Sequence, residues 1–311
     1  MDPVPRIPAI ISNSIVYLYR DRGEAETGAE SGASGFLVGE ESTVKPCSHL
    51  YVVTNKHVVE GKTCYPVVRM NLRHPSSGFE RIFVLDFKQS DWVLDPKNDL
   101  AACMLSPDFN VSIVDFSVID RKFLMTEEEF QRENYGPGDN VVYVGRFVGH
   151  AGKYENMPSV RFGNISMNPN EREPIVYDTD DEIRRSQVGF LVEARSRSGY
   201  SGSPVFTLNQ HVINNRRAVV PWMDMRLLGV DWGHLPEKVL LRDPQGYLHG
   251  SKWYVEVHAG MMGVVPSWHL LDFLDTDPRL IEQRQRDDEL YAAQLATSVP
   301  DKEAGEAKES I

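Results

Sequence analysis

The sequence predicts an all-β protein, a barrel or a sandwich, with helix confined to the C-terminal end. Three observations carry that expectation. Short runs of β-branched and aromatic residues recur along the chain, the pattern of half-buried strands. Glycine, proline and polar clusters separate them at short intervals, which is turn chemistry. Helical apolar spacing is found near the end, at Leu280, Ile281, Leu290 and Leu295.

Taken in order, "AIISNSIVYLYR" reads as the first strand, and the Gly-, Glu- and Ser-rich "DRGEAETGAESGAS" as a flexible surface loop. Strands follow at "GFLVG", "HLYVVTN", "YPVVRMNL", "RIFVLDF" and "DLAACML". The stretch "TEEEFQREN" is a short acidic helix with Thr126 placed to cap it. With the turn "GPGD" it connects two halves. The second half repeats the strand pattern in "NVVYVGRF", "SVRFGNIS", "VGFLVEA", "SPVFTL", "RLLGVDWG", "WYVEVHA" and "GVVPS". Two polar insertions interrupt it, "NPNEREPIVYDTDDEIRRSQ" and a return around "NQHVINNRRAVVP". Ser267 opens a helix at "WHLLDFLD", and "DPRLIEQRQRDDELYAAQLA" continues as helix. The final "TSVPDKEAGEAKESI" is polar enough to be expected disordered.

The 311 residues allow one large domain or two modest ones. Hydrophobic residues make up 41% and charged residues 25%, a soluble globular mix with material for a full core. The net charge of −12 disfavours nucleic acid and anionic membrane surfaces as partners, because both need a basic face. Apolar runs such as "VVYVG" are strand-length, far short of the roughly 20 residues of a spanning helix. The N-terminus lacks a basic segment followed by an apolar one, so no signal peptide is expected. Cys47, Cys64 and Cys103 are too few for a disulfide framework, and the expectation is a cytoplasmic protein with three small buried thiols. The alternative is one Cys47–Cys64 bridge. The cysteines show no metal-ligand spacing, and no metal or cofactor is expected.

The chemistry centres on "RSGYSGSPVF", where Gly199, Ser201, Gly202 and Ser203 surround one tyrosine and run into an apolar strand. Such a turn can hold a nucleophilic serine with backbone N–H groups aimed at one point. A serine hydroxyl is a weak nucleophile until a base removes its proton. His57 suits that role, because "YVVTNKHVVEG" places it at the mouth of a buried-looking strand. Asp99, in "PKNDLAACML", starts an apolar strand, where a carboxylate is costly to bury unless paired. The order His57, Asp99, Ser201 is one of the known triad orders, the one found on β-barrels. His234, His258 and His269 are read as ordinary structural histidines.

The stretches "SGFLV", "VTNKHVV", "NDLAAC" and "SGYSGSPVF" resemble the four signature stretches of trypsin-like serine proteases. They are nearest in flavour to bacterial cytoplasmic trypsin-like peptidases, HtrA proteases and glutamyl endopeptidases. The resemblance covers about residues 10–274. It implies two six-stranded antiparallel β-barrels, chymotrypsin-like, followed by a C-terminal helix. It implies a protease domain at 1–275, with barrel one at about 10–120 and barrel two at about 138–267. Residues 276–311 are then an acidic tail, helical and then disordered. The implied activity is that of a serine endopeptidase. His57, Asp99 and Ser201 form the triad, and the Gly199 and Ser201 amides form the oxyanion hole. Tyr200 stands where secreted zymogens carry an aspartate that receives a freed N-terminus. That switch is therefore absent, and activity is expected to be constitutive or controlled by a partner or by loop ordering.

The same resemblance implies a P1 pocket walled by Arg195 and by Asp231, Trp232 and Gly233. If Arg195 and Asp231 pair, the pocket is neutral and suits a small or medium apolar P1 group. The expected partner is a protein or peptide substrate. A regulatory protein docking on the acidic C-terminal helix is a further expectation. The alternative function is a catalytically silent pseudoprotease that binds peptide by strand addition.

Overall fold

The computed structural model describes residues 7–73, 81–106, 109–178, 184–194, 199–208, 210–213, 216–219, 225–241, 245 and 254–298. The first half carries nine strands: β1 (Ile15–Tyr19), β2 (Ala33–Glu40), β3 (His49–Thr54), β4 (Val67–Leu72), β5 (Ile82–Leu85), β6 (Val93–Leu94), β7 (Ala101–Met104), β8 (Val114–Asp115) and β9 (Ile119–Asp120). The second half carries ten: β10 (Asn140–Gly145), β11 (Ser159–Met167), β12 (Ile175–Asp178), β13 (Arg184–Gln187), β14 (Phe190–Glu193), β15 (Pro204–Thr207), β16 (Gln210–Ile213), β17 (Arg216–Val219), β18 (Leu227–Leu240) and β19 (Tyr254–Pro266).

The second half closes into a six-stranded barrel, β10-β11-β14-β19-β18-β15, with every neighbouring pair antiparallel. Closure leaves that half without a free barrel edge. For the first half, closure into the other expected barrel is not established among the described residues. Its strands form one sheet along the path β5-β4-β1-β2-β3-β7-β6, with β8 on β4 and β9 on β2. The path ends in strands of four and two residues, and no pairing among the described residues closes it. The β2–β9 pair is parallel, so the sheet is not wholly antiparallel.

The two polar insertions are the hairpins β12–β13 and β16–β17. β18 and β19 run past the barrel as a two-stranded ribbon, paired from Pro236–His258 to Leu240–Tyr254. Val239, Leu240, Tyr254 and Val255 lie exposed on it.

Among the described residues six α-helices accompany the sheets: α1 (Ala9–Asn13), α2 (Arg22–Thr27), α3 (Lys56–Val59), α4 (Glu127–Arg132), α5 (Ser267–Thr276) and α6 (Pro278–Ser298). Helix is therefore not confined to the end. The expected first strand starts only after α1, and the expected surface loop contains α2. Asp21 caps α2 by accepting the Glu24 amide at 2.9 Å, and Gly28 ends it in the left-handed region at φ 68°. Thr126 caps α4 as expected, accepting the Glu129 amide at 3.1 Å.

One apolar cluster runs through both halves, joining Tyr17, Phe36 and Val53 to Val142, Phe206 and Leu227. The two halves therefore share a core. α6 packs back on the first-half sheet. Leu280 is buried in the shared core, and the His49 imidazole meets the Asp287 carboxylate at 2.6 Å. Arg284 donates to the Tyr51 hydroxyl at 3.1 Å. Further along α6, Leu290 and Leu295 are 54% and 50% exposed. Of the final stretch expected to be disordered, Thr297 and Ser298 still belong to α6, and residues 299–311 lie outside the described residues. Among the described residues no helix is long and apolar enough to cross a membrane.

The three cysteines are free, and only Cys103 is buried; Cys47 is exposed and Cys64 half-buried. The expectation of three buried thiols fails for those two, because both lie outside the strands. Burial pushes the Cys103 thiol up, aided by the nearby Asp91 charge. Reductant is expected to leave the melting temperature unchanged. A fall of several degrees, with Cys47 and Cys64 linked by mass spectrometry, would contradict this.

Candidate active site

His57 is held by local sequence. β3 is buried along nearly its whole length, and the chain then turns once through α3, pinned by buried Val58 and Val59. That turn presents His57 with its side chain 38% exposed, while the Asp99 side chain is 6% exposed. Three hydrogen bonds join the turn to Asp99. His57 Nδ1 lies 2.7 Å from Asp99 Oδ2, and the His57 amide donates to Asp99 Oδ1 at 2.9 Å. Asn55 Nδ2 donates to the Asp99 carbonyl at 3.0 Å. Burial pushes the Asp99 carboxyl up, but the imidazole charge, the bonds from His57 and the Lys56 charge outweigh it. The net effect holds Asp99 below the usual carboxylate range.

Gln187, at the end of β13, reaches across from the second half. Its Oε1 accepts the Asp99 amide at 2.8 Å, and its Nε2 donates to Asn98 Oδ1 at 3.1 Å. Sequence reasoning missed it. It closes a polar insertion, and no spacing ties it to a residue 88 positions away.

Ser201 comes from the turn before β15. Its neighbours fix three consecutive carbonyls. Gly199 C=O accepts the Ser34 hydroxyl at 2.7 Å. Tyr200 C=O accepts the Ser203 amide at 2.8 Å, and Ser201 C=O accepts the Ser34 amide at 3.0 Å. Because N–H and C=O point oppositely across a trans peptide, the Tyr200, Ser201 and Gly202 amides face away from these contacts, and the Gly202 amide reaches the Asp231 carbonyl. Among the described residues the Gly199 and Ser201 N–H groups have no intramolecular acceptor.

Gly199 sits at φ 97° and Gly202 at φ 85°, a region that side chains disfavour. A Cβ on Gly202 would lie 2.1 Å from the Ser34 carbonyl oxygen and 2.2 Å from Thr54 Oγ1. Gly202→Ala therefore combines strain with overpacking. It is expected to cost about 3 kcal/mol or more in urea unfolding. A loss below about 1 kcal/mol would show that the turn adapts.

Tyr200 points into the barrel and is fully buried. Its hydroxyl takes the Arg161 Nε–H at 2.6 Å and meets the Ser159 hydroxyl, while its ring packs edge-on to Tyr143 at 5.4 Å. The turn is thus anchored by a buried phenol.

The structure brings His57 directly to Asp99. It sets Ser201 beside Trp232 and Gly233, with Ser201 Oγ 3.5 Å from the Trp232 carbonyl. Among the described residues that is the bond the hydroxyl makes, and it is not to His57. At 3.5 Å it lies at the outer limit of a hydrogen bond.

The Asp231 carboxylate lies at the start of the segment expected to wall the P1 pocket. It is fully buried, and its Oδ1 accepts the Gly233 amide at 2.7 Å. Burial, and then the Asp231 charge, push the Tyr143 phenol up. The Asp231 backbone also clamps the Ser201 turn, accepting the Gly202 amide at 2.8 Å and donating to Ser203 C=O at 2.9 Å. The Trp232 indole lies against Gly189 and Gly263. Arg195 lies outside the described residues. Among those described, no three His, Cys, Asp or Glu side chains group to hold a metal.

A closed six-stranded barrel beside a histidine–carboxylate couple and a glycine-framed serine defines a class of hydrolase fold. The model of the trypsin-like peptidase domain matches residues 33–213, more than half of the 311 residues. The chain belongs to the trypsin-like peptidase family. Among solved structures it is similar to the active form of Rv3671c protease from M. tuberculosis, at 15% identity and TM-score 0.42, covering 88% of this chain and 91% of that one. It is also similar to an inactive form of Rv3671c protease, at 16% identity and TM-score 0.39, covering 88% of this chain and 97% of that one. No curated protein matches the chain by sequence.

Proposed function

We propose that the chain is a serine endopeptidase working through His57, Asp99 and Ser201. The observation that carries the reading is the His57–Asp99 couple, a 2.7 Å contact with a nearly buried carboxylate and a half-open imidazole. Asp99 holds the Nδ1 proton in place, which leaves Nε2 as the base. His57 takes the Ser201 proton as Oγ attacks the scissile carbonyl, then returns it to the leaving amine. Water attacks the acyl-enzyme by the same route in reverse. Catalytic hydrogen bonds are often long in unliganded sites and tighten when substrate binds, so the Ser201–His57 contact is expected to form on binding.

The Gly199 and Ser201 amides take the developing oxyanion, and each such donor is typically worth about 3 kcal/mol in the transition state. Residues 1–275 form the catalytic unit in this proposal, with His57 and Asp99 from one half and Ser201 from the other. The buried Tyr200 anchor supports a turn that is ready without proteolytic activation. The Asp231 carboxylate, engaged by the Gly233 amide, leaves the P1 site without an open negative charge on that wall. A small or medium apolar P1 residue is proposed.

The test is digestion of a mixed library of denatured peptides, with products sequenced by mass spectrometry. Cleavage after apolar residues by wild type and none by Ser201→Ala supports the reading. A dominant cut after Lys or Arg would contradict the pocket, and no cleavage at all would contradict the activity.

A further inference from the structure

We infer that Ser34 is a positioning residue for the oxyanion donors, its hydroxyl holding the nucleophile turn from the opposite half of the molecule. The inference rests on the catalytic reading of Ser201. Ser34 lies in β2 and is fully buried. Its backbone N–H donates to Ser201 C=O at 3.0 Å, and its carbonyl accepts the Thr54 hydroxyl at 2.8 Å. Its hydroxyl accepts the Arg146 amide at 2.8 Å and donates to Gly199 C=O at 2.7 Å. The direction of these bonds is forced. An amide N–H can only donate, so Ser34 Oγ accepts from Arg146, and its single proton goes to the Gly199 carbonyl.

That proton fixes the peptide plane between Gly199 and Tyr200. The relative direction of the Gly199 and Ser201 N–H groups is set by the torsions between them, and this plane lies in the middle of that stretch. Rotating it would leave the Ser34 hydroxyl and the Gly199 carbonyl without each other, and an unmet buried polar group is costly. The hydroxyl therefore favours the turn in which the Gly199 carbonyl faces Ser34, and with it one fixed relation between the Gly199 and Ser201 amides. Arg146 supports it from behind. Its guanidinium donates to Ser31 C=O at 2.6 Å and to Ala29 C=O, and lies 4.4 Å over the Tyr19 ring. The segment leading into Ser34 and the strand end carrying the Arg146 amide are thus fixed together.

A serine that merely satisfied its neighbours would affect stability alone. A positioning serine acts on the transition state, where a small misplacement of donors is expensive. The test compares wild type with Ser34→Ala and with Ser34→Thr, which keeps the hydroxyl. Rates are normalised to the folded fraction measured by circular dichroism. Ser34→Ala is expected to lower kcat by roughly 10- to 100-fold with KM held within about twofold. Affinity for a peptide boronate, whose tetrahedral adduct occupies the oxyanion site, should fall by the same factor. Peptide binding to Ser201→Ala and to the Ser34→Ala/Ser201→Ala double variant should be equal. Ser34→Thr should restore most of kcat. A folded Ser34→Ala with unchanged kcat would overturn the inference, as would a rise in KM alone. Failure of both Ser34 variants to fold would overturn it too, by making the hydroxyl a folding element. An inactive wild type that binds no boronate would instead overturn the peptidase reading on which it stands.

Discussion

Replacing Ser201 by alanine is expected to lower kcat/KM by about a million-fold, to near background, because triad members act as a unit. The melting temperature should not change. The only hydrogen bond of the hydroxyl among the described residues is the 3.5 Å contact with the Trp232 carbonyl, so little native-state energy is lost. His57→Ala should lose activity to a similar extent, but it should also destabilise. Asp99 is 5% exposed, and removing the imidazole leaves a buried carboxylate oxygen without its partner, at a cost of roughly 1–3 kcal/mol. Steady-state hydrolysis and thermal melts on the same preparations check both statements. Either variant retaining most of its activity, with an intact fold, would remove that residue from the mechanism.

Asp99→Asn is expected to lower kcat by about ten-thousand-fold, the cost of holding the imidazole in the wrong tautomer. The asparagine keeps an oxygen for the His57 amide, but its NH2 group faces Nδ1. The proton then moves to Nε2, which can no longer act as a base. The same variant tests the pH dependence of stability. In the folded protein Asp99 titrates below the ordinary carboxylate range, because His57 and Lys56 outweigh the effect of burial. A group depressed on folding contributes stability that is complete above its unfolded pKa of about 3.9 and is lost as pH falls through the folded value. The wild-type melting temperature should therefore exceed that of Asp99→Asn at pH 6, and the gap should narrow as pH falls below about 4. A gap that stays constant across that range would contradict the charged pair.

The candidate site was legible where chemistry needs particular residue types in order. His57, Asp99 and Ser201 stand in stretches whose glycines and apolar runs explain their placement, and the structure joins the first two directly. Its supporting shell was not legible. Ser34 meets Gly199 across 165 positions, and Gln187 meets Asp99 across 88. Such contacts are set by how the two halves pack, not by local spacing. The glycines around α2 drew the stretch toward a loop, although Asp21 and Glu24 stand at the spacing of a helix start. The two barrels were expected from resemblance; one closes among the described residues, and strands of two residues at β6, β8 and β9 leave the closure of the other unestablished. The expected pairing of Asp231 with Arg195 depends on side-chain direction, which local sequence does not set, and Arg195 lies outside the described residues.

The most direct measurement is labelling of the folded protein with a fluorophosphonate probe, followed by peptide mapping. Such a probe needs a serine made nucleophilic by its base and an oxyanion site to receive the phosphoryl oxygen. The account predicts one covalent adduct on Ser201, lost in Ser201→Ala and strongly slowed in His57→Ala. A folded protein that stays unlabelled, or that carries the adduct on another residue, would contradict it and leave a peptide-binding module without catalysis.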